Sequence, residues 1–281
     1  MYIKRDDLLH PEISGNKIRK LKYNLIQAKN EGFDTLLTFG GAYSNHIFAV
    51  AAAAEIYGFK TIGVIRGEAY QDLNPTLRYA VSKGMHLHYS SREDYRKKYT
   101  PEFVNALRNL YGNFYLIPEG GTNPHALKGC AEIVKEIDVN FDYITASCGT
   151  GGTLGGIIAG LDGNKHAIGF PALKGGGFLK NDIQQHIRKY NDSVYINWHL
   201  MLDYHFGGYA RYSMDLINFI NGFKADHNIP LDPVYTGKMM FGIFDMIRNN
   251  KFTVGSKIIA IHTGGLQGIS GFNKRFGDLI H

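Results

Sequence analysis

The sequence is poor in cysteine, in long apolar runs and in concentrated charge, and each shortage removes a class of protein. Its two cysteines, Cys130 and Cys148, are too few for a disulfide framework and too few for a structural zinc site without histidine help. A reducing compartment is the simplest expectation, and the cytoplasm the expected location. No apolar stretch is long enough to cross a bilayer, and no basic-then-apolar leader precedes Tyr2-Ile3-Lys4-Arg5-Asp6-Asp7, so neither a membrane anchor nor an export signal is expected. Low-complexity tracts, internal repeats and linkers are missing too. The 12 histidines show no spacing suited to a helix-borne zinc site, so no metal is expected. The net charge of +6 is spread from Lys4 to Arg275 with acids interleaved, apart from short clusters at Lys17–Lys22 and Arg92–Lys98. Without a basic stripe or a recognisable module, nucleic acid is not expected as a partner. A small anionic ligand is enough to account for the excess.

What is present is a soluble chain of 281 residues, 44% hydrophobic, long enough for one large α/β unit or two lobes of ordinary size. Thr35–Phe39, Thr61–Ile65, Met85–Tyr89 and Phe114–Ile117 read as strands. Helices are expected from near Lys17 to Asn30, from a glycine turn before His46 to Tyr57, over Pro75–Ser82 and over Pro101–Tyr111. Strand and helix alternate with short connections, which predicts a parallel sheet with helices on its faces and ligands at the carboxyl ends of the strands. Glu119-Gly120-Gly121-Thr122-Asn123-Pro124 breaks the pattern. Beyond it come a helix from His125 to Ile137, a strand Tyr143–Ala146, a glycine loop Ser147–Thr153 and a helix to Leu161. Ala167–Phe170 and Val194–Asn197 read as strands separated by a helix around Phe178–Tyr190. Helices follow from Ser213 to His227 and from the Asp232-Pro233 turn to Asn249, and a last strand, Lys257–Ile261, delivers His262-Thr263-Gly264-Gly265. Two interleaved lobes, joined by more than one crossing, are expected.

The chemistry centres on Ser14-Gly15-Asn16-Lys17-Ile18-Arg19-Lys20-Leu21. Turn and cap residues precede apolar positions Ile18, Leu21, Leu25 and Ala28 at helical spacing, so Lys17 stands where a helix opens. Backbone N–H groups and the positive end of the helix dipole disfavour its ammonium and favour a nucleophilic amine, which suits Schiff-base chemistry. Taken alone, Lys17, Arg19, Lys20 and Lys22 also read as a solvated or anion-binding face. The loop Cys148-Gly149-Thr150-Gly151-Gly152-Thr153, between a strand and a helix, fits a phosphate cup of successive N–H groups, hydroxyls and a helix N-terminus. It lacks the third glycine of a dinucleotide fingerprint and the ending of a P-loop, so a cofactor with one phosphate fits better than NAD or ATP. A tight junction with glycines for packing is the bland alternative. Ser44-Asn45-His46 offers hydroxyl, amide and imidazole at a helix start, where capping by Ser44 or Asn45 is the plainer explanation. Tyr235-Thr236 reads equally as cap chemistry, Tyr209 as a loop aromatic and His262–Gly265 as a turn.

Together, the Lys17 octapeptide, Gly40-Gly41-Ala42-Tyr43-Ser44-Asn45-His46, the Gly149–Thr153 loop, Asp232-Pro233-Val234-Tyr235-Thr236-Gly237-Lys238 and His262-Thr263-Gly264-Gly265 resemble, in order and approximate spacing, the 1-aminocyclopropane-1-carboxylate deaminase/D-cysteine desulfhydrase family of pyridoxal-phosphate enzymes. The resemblance runs nearly from end to end. It implies a tryptophan-synthase-β-like, fold type II, two-domain α/β protein: three-layer αβα with open, twisted, mostly parallel sheets, and the cofactor in between. The smaller domain would span 20–127, and 1–19 with 128–281 the larger. Lys17 would hold the cofactor and later shuttle the α-proton; Asn45 would bond its phenolic oxygen; Gly149, Thr150, Gly151, Gly152 and Thr153 would hold its phosphate. Ser44, Asn45 and His46 would lie on the substrate side, Ser44 gripping the carboxylate or assisting at the α-carbon, with Tyr209 and Tyr235 lining the reacting face. The partner implied is a small amino acid, and a homodimer is the assembly common in the family.

Two departures divide the family. The cyclopropane deaminases carry glutamate where this chain has Thr236 and leucine where it has Thr263, whereas the desulfhydrases resemble it at both. A carboxylate beside the pyridine nitrogen makes a strong electron sink, useful for opening a cyclopropane, and a hydroxyl a weaker one that suffices to expel thiolate. A deaminating lyase acting on D-cysteine is therefore the expectation, with the cyclopropane deaminase as alternative and a non-catalytic phosphate- or nucleotide-binding protein as the answer of another class. The family's usual tens of residues before Tyr2 are not matched, so the surface they cover is expected to be exposed or covered otherwise. Gly207-Gly208-Tyr209-Ala210 departs from the usual glycine-tyrosine-glycine.

Overall fold

The structure, a computed structural model, describes residues 1–69 and 72–281. In chain order its strands and α-helices are β1 (Tyr2–Lys4), α1 (Asn16–Asn30), β2 (Thr35–Gly40), α2 (Asn45–Tyr57), β3 (Lys60–Arg66), α3 (Pro75–Ser82), β4 (Met85–Ser90), α4 (Arg92–Arg96), α5 (Pro101–Tyr111), β5 (Tyr115–Ile117), α6 (Pro124–Lys135), β6 (Tyr143–Cys148), α7 (Gly152–Leu161), β7 (His166–Pro171), α8 (Leu179–Asn191), β8 (Trp198–Leu200), α9 (Met214–His227), α10 (Thr236–Arg248), β9 (Ile258–Ile261) and α11 (Gly268–Phe276). They build two wholly parallel sheets, ordered β1-β9-β6-β7-β8 and β4-β3-β2-β5.

Both sheets are covered on both faces, as parallel sheets must be. In the five-stranded sheet, Ile144, Ala146, Ile259 and Ile261 pack with Leu127 of α6, Leu154 and Ile158 of α7, and Ile183 of α8. The opposite face, with Ile168, Phe170, Ile258 and Ala260, packs on α9 and α10 through Ile217, Ile220, Met239 and Ile243. In the four-stranded sheet, Leu36 and Ile65 meet α1, α2 and α3, while Leu37, Phe39 and Val64 meet Tyr95 and Leu107 on the other side. The result is the expected α/β architecture of three layers about each sheet.

The strand expected at Val194–Asn197 is displaced to Trp198–Leu200. Val194 and Ile196 are β-branched and so read as strand, but they are exposed, at 60% and 94%. Register is set instead by Trp198, buried opposite Ala167 and donating its indole N–H to the Tyr195 carbonyl at 3.0 Å. Two helices, α4 and α11, lie where no helix is expected from the sequence; α4 is one turn, capped by Ser91 Oγ accepting from the Asp94 amide at 3.0 Å.

A charge cluster, buried at Asp6 and Arg19 and exposed at Glu136, ties the start of the chain to the helices behind the site. Asp6 accepts from Arg19 Nε at 2.6 Å and Nη2 at 2.9 Å, and Arg19 also donates to Glu136 at 2.7 Å. Removing Asp6 leaves the buried Arg19 charge without its buried partner, so that pair fixes α1 to the start of the chain more firmly than exposed pairs do. The two helices cross where Gly129 lies on the Arg19 carbonyl, too close for any Cβ. Gly129→Ala is therefore expected to lower stability by about 1–3 kcal/mol through overpacking, read as a lower urea midpoint at unchanged slope.

Candidate active site

Segments at the carboxyl ends of the central strands lie against one another. Gly15 opens α1 at φ 64, and its Cα lies so close on the Thr263 carbonyl that a side chain would collide with backbone. The same carbonyl accepts from the Asn16 amide at 3.2 Å, and Asn16 Nδ2 donates to Thr153 Oγ1 at 2.7 Å. Lys17, the next residue, is thus handed to the ends of β9 and β6. Gly15 rather than a capping side chain sits at the N-cap. Burial, and then the neighbouring Lys20 charge, lower the Lys17 amine from 10.5 to about 7; no carboxylate is among its perturbing charges.

The loop after β6 matches the cup its glycines imply. Gly151 has φ 77 and leads into α7 with no side-chain cap, so the first amides of that ten-residue helix are free. Thr150 Oγ1 lies 2.5 Å from Thr122 Oγ1 and 3.4 Å from Lys20 Nζ. Lys20 Nζ also donates to the Gly120 carbonyl at 2.9 Å and Thr122 Oγ1 at 3.0 Å. A Cβ at Gly152 would come within 3.0 Å of that amine. Lys20 is 2% exposed, its oxygen partners in these bonds are all neutral, and burial lowers its amine. A buried cation held by neutral oxygens beside free helix amides is a site completed by an anion. The residues present therefore fit a phosphate group. Thr153 differs from expectation in detail: its hydroxyl accepts from Asn16, leaving its backbone amide for an anion.

The other expected residues surround the same space. Ser44 is the N-cap of α2, its Oγ accepting from the His46 and Ile47 amides at 3.2 and 3.3 Å. The hydroxyl hydrogen remains free to donate. The Asn45 side chain lies against Gly265 and Gly268. Tyr235 lies over Gly149, where a Cβ would come 3.3 Å from its hydroxyl, and its ring meets Tyr209 edge-on at 6.1 Å between centroids. Burial raises the Tyr235 phenol well above 10, with Tyr209 adding to the effect. Thr236 Oγ1 donates to Asp232 Oδ1 at 2.8 Å, and Thr263 Oγ1 lies 3.0 Å from Ser147 Oγ.

His46 does not present its ring to the cleft as a polar ligand. It is 2% exposed, with Nε2 2.8 Å from Thr38 Oγ1; since Thr38 donates to the Ile117 carbonyl, the imidazole donates here. Its Nδ1 faces Gly121 without a hydrogen-bond partner among the described residues, and burial holds the ring neutral by pushing its pKa well below 6.5. Lys20, Thr122, Ser147 and Asp232 are missed by the sequence reading. Lys20 was within reach, lying three residues after Lys17 and so on the same helix face.

The family described as pyridoxal-phosphate dependent enzymes matches residues 1–264. The chain belongs to that family. It is 34% identical to a Pyrococcus furiosus protein that bears a provisional 1-aminocyclopropane-1-carboxylate deaminase name, over 100% of this chain and 88% of that one. It is 31% identical to the mitochondrial bifunctional D-cysteine desulfhydrase/1-aminocyclopropane-1-carboxylate deaminase of Arabidopsis thaliana, over 96% of this chain and 73% of that protein. Among solved structures, one described as an ACC deaminase homologue aligns with TM-score 0.87 and 32% identity, covering 99% of this chain and 88% of its own. As a member, the chain is an enzyme of pyridoxal phosphate.

Two outcomes test the site. Lys20→Met removes the buried cation that would pair with the phosphate and is expected to raise the dissociation constant for pyridoxal phosphate about 10- to 100-fold in equilibrium dialysis. The rate at which the apoprotein captures pyridoxal phosphate should rise with pH through about 7 and then level, because only the unprotonated Lys17 amine attacks. An ordinary lysine, at 10.5, would keep rising far into the alkaline range.

Proposed function

We propose that this chain is a lyase that removes the α-hydrogen and a β-substituent from a small amino acid, with D-cysteine as the model substrate. The net reaction consumes D-cysteine and water and yields pyruvate, ammonia and sulfide. Bound pyridoxal phosphate supplies the electron sink that acidifies the α-hydrogen. Lys17, with its amine near 7, is matched to move that proton at neutral pH. Lys20, Thr150 and the Gly149–Thr153 amides hold the phosphate. Ser44, whose hydrogen is free, grips the substrate carboxylate at the start of α2, where first-turn amides and the helix dipole favour negative charge. Tyr235 stays protonated, so it serves as a donor and not as a base. The smaller lobe, 20–127, carries Ser44 and Asn45, and the flanking segments carry the phosphate cup.

The observation that carries the choice of elimination is the state of Thr236 and Thr263. Both are buried hydroxyls tied to neighbours. Asp232, the adjacent carboxylate, is occupied: Oδ2 accepts the Val234 and Tyr235 amides at 2.9 Å, and Oδ1 the Thr236 amide at 2.7 Å besides the Thr236 hydroxyl. With hydroxyls at Thr236 and Thr263, and the nearby Asp232 carboxylate turned to backbone amides and the Thr236 hydroxyl, the sink is weak, which suits expulsion of thiolate. The cyclopropane deaminase reading has its own support in the names of the relatives, and the Arabidopsis protein's name joins both activities.

Supplied in parallel with D-cysteine and 1-aminocyclopropane-1-carboxylate, the holoenzyme is expected to release sulfide and to form little 2-oxobutanoate. Formation of 2-oxobutanoate alone reverses the ranking. Lys17→Ala is expected to lower turnover on the order of 10²–10⁴-fold, as for loss of a positioned proton-transfer group.

A further inference from the structure

Lys238 is a buried ammonium with no part in the proposed function. It lies on α10 two residues after Thr236 and is 2% exposed. Its Nζ donates to the Gly208 carbonyl at 2.7 Å and the His205 carbonyl at 2.9 Å. The Gly208 carbonyl belongs to the peptide that enters Tyr209, so its orientation fixes where that residue starts.

The segment so gripped is one that would not hold its shape unaided. Phe206, Gly207, Gly208 and Ala210 all have positive φ, at 52°, 90°, 121° and 53°. Ala210 stands where glycine is usual in the resembling family, and its Cβ disfavours that conformation. Tyr209 itself is 48% exposed, so packing does little to fix its ring. Burying an ammonium costs more than burying an apolar side chain of the same length, unless its hydrogen bonds are needed. Asp232 is the charge that favours the cation, while burial opposes it and lowers the amine to about 8.

We propose that Lys238 is a positioning residue: its grip on the carbonyls of His205 and Gly208 sets the Tyr209 ring edge-on to Tyr235, over the reacting face of the site. Lys238 then affects turnover through Tyr209 and touches neither substrate nor cofactor. The inference rests on the assignment of Tyr209 and Tyr235 to that face.

A cycle of Lys238→Met, Tyr209→Ala and the double variant tests it in the holoenzyme, with hydrogen exchange as an independent reading. The Gly208 amide donates to the His205 carbonyl and the Arg211 amide to the Gly208 carbonyl, so both report on the loop. Lys238→Met is expected to speed their exchange at least about tenfold and to lower kcat/KM about 10- to 100-fold, the cost of a misplaced site group. Cofactor affinity should stay within about twofold, since the phosphate contacts are elsewhere. The double variant should be no slower than Tyr209→Ala alone, because one residue acts through the other. Additive losses, or unchanged exchange in the loop, overturn the proposal. Should Lys238→Met fail to fold, Lys238→Gln, a neutral side chain too short to reach both carbonyls, replaces it in the same cycle. If the wild type turns over neither amino acid, the proposed function fails, and the exchange reading still decides whether Lys238 holds the loop.

Discussion

The contact on which the site depends is that of Gly15 with the Thr263 carbonyl. A backbone without a side chain is pressed onto another backbone, and only that approach lets α1 begin at the end of β9. The Asn16 amide then bonds the same carbonyl and the Asn16 side chain reaches Thr153 on α7. Three segments remote in sequence are thereby fixed within one helical turn of Lys17. The buried Asp6–Arg19 pair, extended at the surface by Glu136, holds the same helix from behind, so Lys17 is clamped on both sides. In the proposed function such a clamp matters because proton transfer demands placement within a fraction of an ångström, and a lysine side chain has four rotatable bonds to freeze.

Two lysines one turn apart play opposite parts. Lys20 is held by oxygens of Gly120, Thr122 and Thr150, while Lys17 has Lys20 as a like charge that lowers its amine. In the proposed function the phosphate anion cancels the charge of Lys20. The like-charge effect on Lys17 then weakens, and burial, the larger cause, remains to keep the amine close to neutral pH. The tuning is thus carried chiefly by where the helix starts, and secondarily by the neighbour.

Much of this was legible in the sequence for specific reasons. α3 and α5 run as expected, Pro75–Ser82 and Pro101–Tyr111, because proline at the first turn and a capping Asn74 or Thr100 mark their starts. The parallel strands are continuous apolar runs, which only doubly covered sheets bury. What failed was what depends on partners. Val194 and Ile196 carry a strand's composition and no pairing, while Trp198, with its register to Ala167, carries the pairing. In the site, loops with glycine could be read because positive φ leaves a mark in residue type. Ser147 and Thr122 could not be placed, because their roles arise from contacts across 28 to 116 positions of chain. His46, beside two polar neighbours at a helix start, turns its Nε2 toward Thr38, a contact that residue type does not announce.

The two sheets divide the handling of negative charge. The five-stranded sheet ends in the uncapped start of α7, and the four-stranded sheet ends in α2, whose first amides are partly taken by Ser44. Both helix starts attract anions, but Lys20 reinforces only the first. A phosphate, with its higher charge, is better matched to the start of α7, and a monovalent amino-acid carboxylate suffices for the start of α2. Asn45, with its side chain against Gly265, bridges the two. The amino acid would therefore enter with its carboxylate toward the smaller sheet and its α-carbon toward Lys17. At the far end Thr236 and Thr263 present hydroxyls already bonded to Asp232 and Ser147, so in the proposed function a hydroxyl, and not a carboxylate, is the group those two positions offer.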